Sequence, residues 1–453
     1  MTDAVNDAQR GASPRSASTP VVVVGGGVGG LVVARELARS CIRVTLLEAS
    51  DRLGGQVRRL TLAGLDLDVG AEAFATKSTT VADLARELGL EADIVAPAPL
   101  RAWLQPVTGA ARPLPSTGLL GIPSKPLARD VIASVGIFGA ARAAVDRVMP
   151  RRVGADAESL GDLVRIRMGA AVHDRLVSPV VTGVHSASPA ELSVDRAAPG
   201  LRAALLRSGS LSRAVGELRR AAPAGAAVAG IRGGIARLVD SLELELHALG
   251  VDVRLGAAVE SVSPDGVQLA GGEHVAGRVV VAAPGMLGPS PTRPAVVAVL
   301  VLRSAQLDAA PRGTGLLVAP GAPGIRARAL THQTAKWPWL AERAAGQGEG
   351  LHVVRLSYAG ADADLPTIAL RDASTLLGVR LTASDLVESA IVTWQRAAVS
   401  ESPVPEGVLL VGETAAGGGL AAVVAHARRT ARELAHDIAG ETAEGAPRRL
   451  GQG

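Results

Sequence analysis

The chain is poor in aromatic residues and nearly without cysteine. Phe, Trp and Tyr make up 2% of its 453 residues, with two Phe, four Trp and one Tyr. Cores must therefore be built from Val, Leu, Ile and Ala. A base-stacking platform for nucleic acid is not expected, and no nucleic-acid motif is found. The single cysteine, Cys41, excludes an intrachain disulfide and a cysteine metal cluster. It precedes a predicted strand and is expected as a small buried apolar residue. The eight histidines are scattered, without partners at metal-ligand spacing, so no metal is expected. No Ser-His-Asp or Cys-His arrangement stands out, and no protein nucleophile is expected. No uncharged apolar run reaches the ~18 residues that span a bilayer. Residues 1–20 are polar, rich in Ala and Ser, and lack the apolar segment of a signal peptide; they read as a disordered tail. A reducing cytoplasm is the expected setting, with peripheral membrane contact left open.

With 48% hydrophobic and 20% charged residues the chain is globular, and its length suits two or three domains. The net charge of +4 is unevenly spread. Residues 112–152 hold seven Lys or Arg against two Asp, and residues 196–220 hold six Arg against one Glu. Such stretches are either solvated or attract an anionic membrane or a polycarboxylate. Leu119, Leu120 and Ile122, near Lys125 and Arg129, are the candidate membrane-surface residues.

The rest is organised around residues 21–30, VVVVGGGVGG. Four β-branched residues suit a central strand of a parallel sheet. Gly25, Gly27 and Gly30 fit G-x-G-x-x-G. The first permits a tight turn, the second lets backbone approach a pyrophosphate, and the third lets helix and strand pack. A helix over 31–40 and a strand over 42–47 should follow, ending at Glu48, placed to bind a ribose diol. Arg52, Gly54 and Gly55 continue beyond the strand. FAD is longer than NAD and needs extra backbone donors and a cation there. This segment can supply both, and the alternative for Arg52 is a solvated turn residue. Residues 64–73 read as a strand ending in Gly70, Ala71 and Glu72, close to a flavin ring.

Further along, helices are expected at 79–88, 127–148, 159–168, 171–176 and 196–222, and a strand at 101–107. Pro113, Pro115, Pro123 and Pro126 mark a linker into a helical insertion. A helix over 235–249 and strands at 251–255, 258–262, 267–269 and 278–282 return to the nucleotide-binding sheet. A second β-rich region runs from 294 to about 394, with strands at 315–318, 327–331 and 351–358. A strand over 407–411 then leads through Gly412, Glu413 and Gly417–Gly419 into a helix over 420–439, again suited to phosphate or ribitol contacts. The expected class is α/β and α+β: a Rossmann-like FAD-binding domain, a β-rich substrate domain and a helical insertion. The expected division is a tail to 20, FAD-binding residues 21–112 with the start of the substrate domain, and the insertion at 113–225. FAD-binding residues 226–290, substrate-binding residues 291–394, FAD-binding residues 395–442 and a flexible tail at 443–453 complete it.

The order of these motifs resembles the FAD-dependent protoporphyrinogen and coproporphyrinogen III oxidases, within the wider amine-oxidase-like flavoproteins. GGGVGGL, LLEASDRLGGQ and DVGAEAF match the FAD segments; LPSTGLLGIPSKP, AGIRGGIARLVDSL and LTHQTAKWP match others. VTWQRAAVS lacks the usual proline and tyrosine, and GLAAVV stands where the family tends to have G-I-P-D-C-I. The resemblance implies non-covalent FAD contacts at Gly25, Gly26, Gly27, Val28, Gly29 and Gly30. It extends them to Glu48, Ala49, Arg52, Gly54, Gly55 and Gln56, and to Gly70, Ala71, Glu72 and Ala73. Val259, Trp394, Gly412, Glu413, Gly419 and Leu420 complete the cofactor set. It implies oxidation of a porphyrinogen in three two-electron steps, with hydride accepted at flavin N5 and O2 reduced to hydrogen peroxide. Lys77 and Arg101 would be substrate-side cations, which favours coproporphyrinogen III, with four propionates, over protoporphyrinogen IX, with two. An amine oxidase or carotenoid-type desaturase of the same fold, or a non-enzymatic porphyrin-binding protein retaining FAD, are the alternatives.

Overall fold

The computed structural model describes residues 19–116, 118–185, 187–221, 228–288, 292–397 and 403–444. The two expected tails lie mostly outside these residues, as does the junction expected at 225. The chain divides into two compact units: residues 1–57, 238–291 and 397–453, and residues 58–237 and 292–396.

The first unit is built on a parallel sheet. In spatial order its strands are Asp252–Arg254, Val44–Leu47, Val21–Val24, Arg278–Val281 and Leu409–Leu410. The Val21–Val24 strand is central and fully buried, which is why it reads as an unbroken apolar run. Helix Val28–Arg39 follows it directly and packs along the long helix Leu420–Glu444. Gly29 permits the close approach: a Cβ there would stand 3.1 Å from the Gly412 backbone and 3.3 Å from the Val423 side chain of the long helix. On the same helix Arg35 is fully buried, and its guanidinium meets Glu245 at 2.7 Å and Glu36 at 2.9 Å. A three-stranded antiparallel meander, Val259–Ser263, Gly266–Leu269 and His274–Ala276, contributes Val267 and Leu269 to the core beneath the sheet. The third of these strands is short and carries a histidine, and its sequence gave no strand signal.

Cys41 is exposed, contrary to expectation. It occupies the left-handed turn between helix Val28–Arg39 and strand Val44–Leu47 (φ 60°), and Ile42 takes the buried place beside it.

The second unit holds a seven-stranded sheet in the order Leu386–Ala397, Thr292–Arg303, Leu351–Tyr358, Ala329–His332, Gly315–Val318, Trp103–Gln105 and Arg112–Pro113. Side chains alternate across it. Ala298, Leu300, Val354 and Leu356 face helix Leu365–Leu377, while Val299, Val301 and Val353 face Trp337, Trp339 and the hairpin Arg59–Leu62/Leu65–Asp68. That hairpin replaces part of the single strand expected over 64–73; Ala63 and Gly64, both at positive φ, make its two-residue turn. The β-rich region also carries helices Pro338–Ala345 and Leu365–Leu377, each with proline in its first turn. Proline there is compatible with a helix start, although in sequence it reads as a breaker.

The remainder of this unit is a helical lobe with its own apolar core, from Ile122 to Val215. The helix expected over 196–222 is three helices, Val194–Ala197, Leu201–Ser208 and Leu211–Ala221. Gly200 and Gly209, both left-handed, separate them. The candidate membrane residues are also reassigned: Ile122 is buried, and Leu119 and Leu120 pack against the same core.

Candidate functional site

In the first unit the turn after Val24 is shaped by glycines with specific tasks. Gly25 has φ 104°, and a Cβ on it would stand 2.9 Å from Ala283 N. A Cβ on Gly30 would come within 2.0 Å of Gly25 O. Gly27 differs: its backbone is extended, and a Cβ there meets no atom within 4 Å. Open space thus lies over the N-terminus of helix Val28–Arg39, whose first turn carries no acid and whose cap residue makes no side-chain bond. The positive end of the helix is left for an anion.

The end of the next strand frames this opening. Glu48 Oε2 accepts from Gly26 N at 2.7 Å, and Oε1 accepts from Ser50 N at 2.9 Å and Ser50 Oγ at 2.8 Å. Three of about four lone-pair sites are thereby used to fix the carboxylate, which leaves one for a hydroxyl. Ala49 is exposed beside it and Arg52 is half-buried. Gly54 N donates to Gly26 O at 2.8 Å, so the Arg52–Gly55 segment lies against the glycine turn. Gln56 Nε2 donates to Glu413 Oε2 at 2.8 Å, which joins this segment to the C-terminal one. Gly412 (φ 88°) and Gly419 (φ 102°) flank the short helix Glu413–Ala416, and Leu420 opens the long helix. Val259 opens the meander. This donor set and the space over Gly27 fit the pyrophosphate and ribose of a dinucleotide.

The other expected residues belong to the second unit. Trp394 Nε1 donates to Val69 O at 3.2 Å, next to Gly70. Ala71, Glu72 and Ala73 follow in irregular backbone, half-buried. Lys77 is exposed, after the short strand Phe74–Ala75. Arg101 is also exposed; it donates to Leu114 O at 2.7 Å and lies 3.8 Å from the Asp130 carboxylate.

Glu72 anchors a polar cluster that sequence reading did not assemble. Lys336 Nζ is ion-paired with Glu72 Oε1, Gln333 Nε2 donates to Oε2 at 2.9 Å, and Arg355 Nη1 stands 3.6 Å from Oε2. Burial alone would raise the Glu72 carboxyl, but Lys336 and Arg355 outweigh it and hold the pKa at about 2. Asp68 behaves oppositely. Burial pushes it up to about 6, against the donors Ile235 N at 2.8 Å and Ala236 N at 3.3 Å. The signal for Lys336 and Gln333 was the LTHQTAKWP segment itself, quoted only as a likeness. His332, from the same segment, is not part of the cluster. Register pairs it with Val354 and pairs Thr331 with Arg355, so His332 lies on the opposite face of the sheet. There it meets His352 at 3.2 Å, and burial followed by that neighbour lowers its pKa to about 3.

A parallel sheet with a glycine turn, an anion-ready helix N-terminus and a terminal acid defines a dinucleotide-binding protein of the Rossmann type. The family model for flavin containing amine oxidoreductases matches residues 28–287, and the chain belongs to that family. It is accordingly an FAD-dependent oxidoreductase. It is similar to the coproporphyrinogen III oxidase of Mycobacterium leprae (strain TN), with 31% identity over 373 residues, covering 74% of this chain and 76% of the relative. The coproporphyrinogen III oxidase of Propionibacterium freudenreichii is 27% identical over 306 residues, covering 60% of this chain; the alignment spans 58% of that relative's length. Among solved structures, one from Exiguobacterium sp. 255-15, assigned to protoporphyrinogen oxidase, superposes with a TM-score of 0.77 at 21% identity. It covers 93% of this chain and 99% of that one.

Proposed function

We propose that the protein oxidises a porphyrinogen, with coproporphyrinogen III preferred, in three two-electron steps. The observation that carries the reading is the 31% identity to the mycobacterial coproporphyrinogen III oxidase over three quarters of both chains. FAD, when bound, supplies the hydride acceptor at N5 and passes the electrons to O2, giving hydrogen peroxide. The protein's own part is to bind, orient and exclude water. The helix at Val28 neutralises pyrophosphate charge, and Glu48 holds a ribose hydroxyl. Lys77 and Arg101 bind substrate carboxylates as charge-assisted pairs, which suits four propionates better than two.

Steady-state kinetics with both porphyrinogens, read by porphyrin fluorescence and peroxide, test the proposal. A higher kcat/KM is expected for coproporphyrinogen III, with KM raised several-fold in Arg101→Ala and in Lys77→Ala. Preference for protoporphyrinogen IX overturns the substrate choice. Turnover of amines without any porphyrinogen activity overturns the whole reading.

A further inference from the structure

The two edges of the seven-stranded sheet are finished differently. One is Arg112–Pro113, a two-residue strand whose proline has no N–H to offer a further strand. The other is Leu386–Ala397, LVESAIVTWQRA, twelve residues without proline, glycine or lysine. Every other sheet edge among the described residues is five residues or fewer. The devices that usually blunt an edge are therefore missing from the longest one.

The alternation of side chains leaves one face of this strand open as well. Ala390, Val392 and Trp394 turn to the core that holds Val299, Val301 and Trp337. Val387 and Ile391, of opposite parity, are 45% and 36% exposed, and Thr393 and Gln395 are exposed with them. Beyond the rim no further strand pairs among the described residues. A row of backbone donors and acceptors, flanked by β-branched side chains, is thus presented to a partner.

Charge identifies that partner. The strand carries one acid, Glu388, and one base, Arg396. Their spacing is even, so they share a face of the sheet. Glu388 is fixed in place by Ala63 N, which donates to Oε2 at 2.6 Å. Val392 lies midway between the two charges. Two copies paired antiparallel about Val392 set Glu388 of each opposite Arg396 of the other. The same register sets Ile391 opposite Thr393 and Ala390 opposite Trp394, pairs that suit a sheet. Parallel pairing in register would oppose Glu388 to Glu388 and Arg396 to Arg396. Any other antiparallel register leaves both charges without their opposite. The strand is its own complement, which is what a two-fold contact requires. Because the Arg112–Pro113 edge is too short to pair, the contact closes at a dimer and does not propagate.

We infer that two copies of this chain associate through residues 386–396, antiparallel about Val392, so that their sheets join into one. The inference is independent of the substrate reading. Strand pairing covers little surface, so the dimer is weak and concentration-dependent.

The test is sedimentation velocity of the FAD-loaded protein over about 1 to 200 μM, with hydrogen exchange at both ends of the range. A monomer–dimer equilibrium is expected, with slower amide exchange in residues 386–396 at the higher concentration. Ile391→Lys should weaken the dimer about tenfold or more, with flavin content and far-UV circular dichroism unchanged. Glu388→Arg and Arg396→Glu should each weaken it to a similar degree, and the two together should restore it. A monomer throughout the range overturns the inference, as does growth beyond a dimer. A dimer indifferent to Ile391→Lys, or one that the double charge exchange does not restore, overturns it too.

Discussion

Asp68 and Glu72 lie four residues apart and titrate in opposite directions for reasons the structure makes explicit. Asp68 ends the Leu65–Asp68 strand in a buried place with only backbone donors, and desolvation wins. Glu72 is as enclosed but has two cations beside it, and they win. The consequences for stability have opposite signs. The folded pKa of Asp68 is above its ordinary value of 3.8, so its contribution is complete below about pH 4 and is lost as pH rises through about 6. The folded pKa of Glu72 is below 4.5, so its contribution is present above that pH and is lost as pH falls towards about 2. Asp68→Asn should therefore flatten the decline in unfolding free energy between pH 4 and 6, by about 2–3 kcal/mol. Urea unfolding at several pH values measures this, and an unchanged decline contradicts the assignment. Neither carboxylate could be ranked from sequence. LDLDVGAEA shows alternation but not which acids are buried, and Lys336 is 264 residues away from Glu72.

Glycines do different work within one element, and two substitutions separate fold from cofactor. At Gly30 a Cβ overlaps Gly25 O and presses on Ala282, so Gly30→Ala must push helix Val28–Arg39 off the sheet. Overpacking of this kind costs about 1–3 kcal/mol, and both Tm and flavin content should fall. At Gly27 the space is open and φ is −69°, which alanine adopts freely. Gly27→Ala should keep the Tm of the flavin-free protein within a few degrees and yet lose FAD, because the methyl group occupies the anion's place. Thermal melts of the apoproteins and absorbance near 450 nm of the purified ones compare the two. Full flavin retention in Gly27→Ala removes the pyrophosphate from that position. The strand–glycine–helix–strand–acid sequence was legible because each residue type there answers to a local backbone demand. The break of helix Arg129–Ala144 at Gly136 (φ 79°) and the three-way division of residues 194–221 were not legible. A lone glycine in a helical pattern reads the same whether it is tolerated or ends the helix.

At the scale of the whole molecule, the single cysteine, the single tyrosine and the His332–His352 pair are each engaged or placed away from the glycine turn. Cys41, the single cysteine, follows helix Val28–Arg39 at the end opposite Gly27. Twelve residues of helix set it about 18 Å from the turn that receives pyrophosphate. The single tyrosine, Tyr358, lies in the core of the second unit, where its hydroxyl donates to Asp372 at 3.3 Å and its pKa is raised by burial and by that carboxylate. His332 and His352 hydrogen-bond each other, and His352 meets Asp308 at 2.9 Å. Retention of FAD is then expected to rest on non-covalent contacts: the helix N-terminus, Glu48, and the Arg52–Gln56 segment, which Gln56 ties to Glu413. The protein should purify yellow, and acid denaturation should release all of its flavin to the supernatant. Flavin remaining with the precipitated chain contradicts this and, after digestion, identifies the attached residue. The release should be complete in Cys41→Ser as in the parent, since that thiol is outside the cofactor's reach.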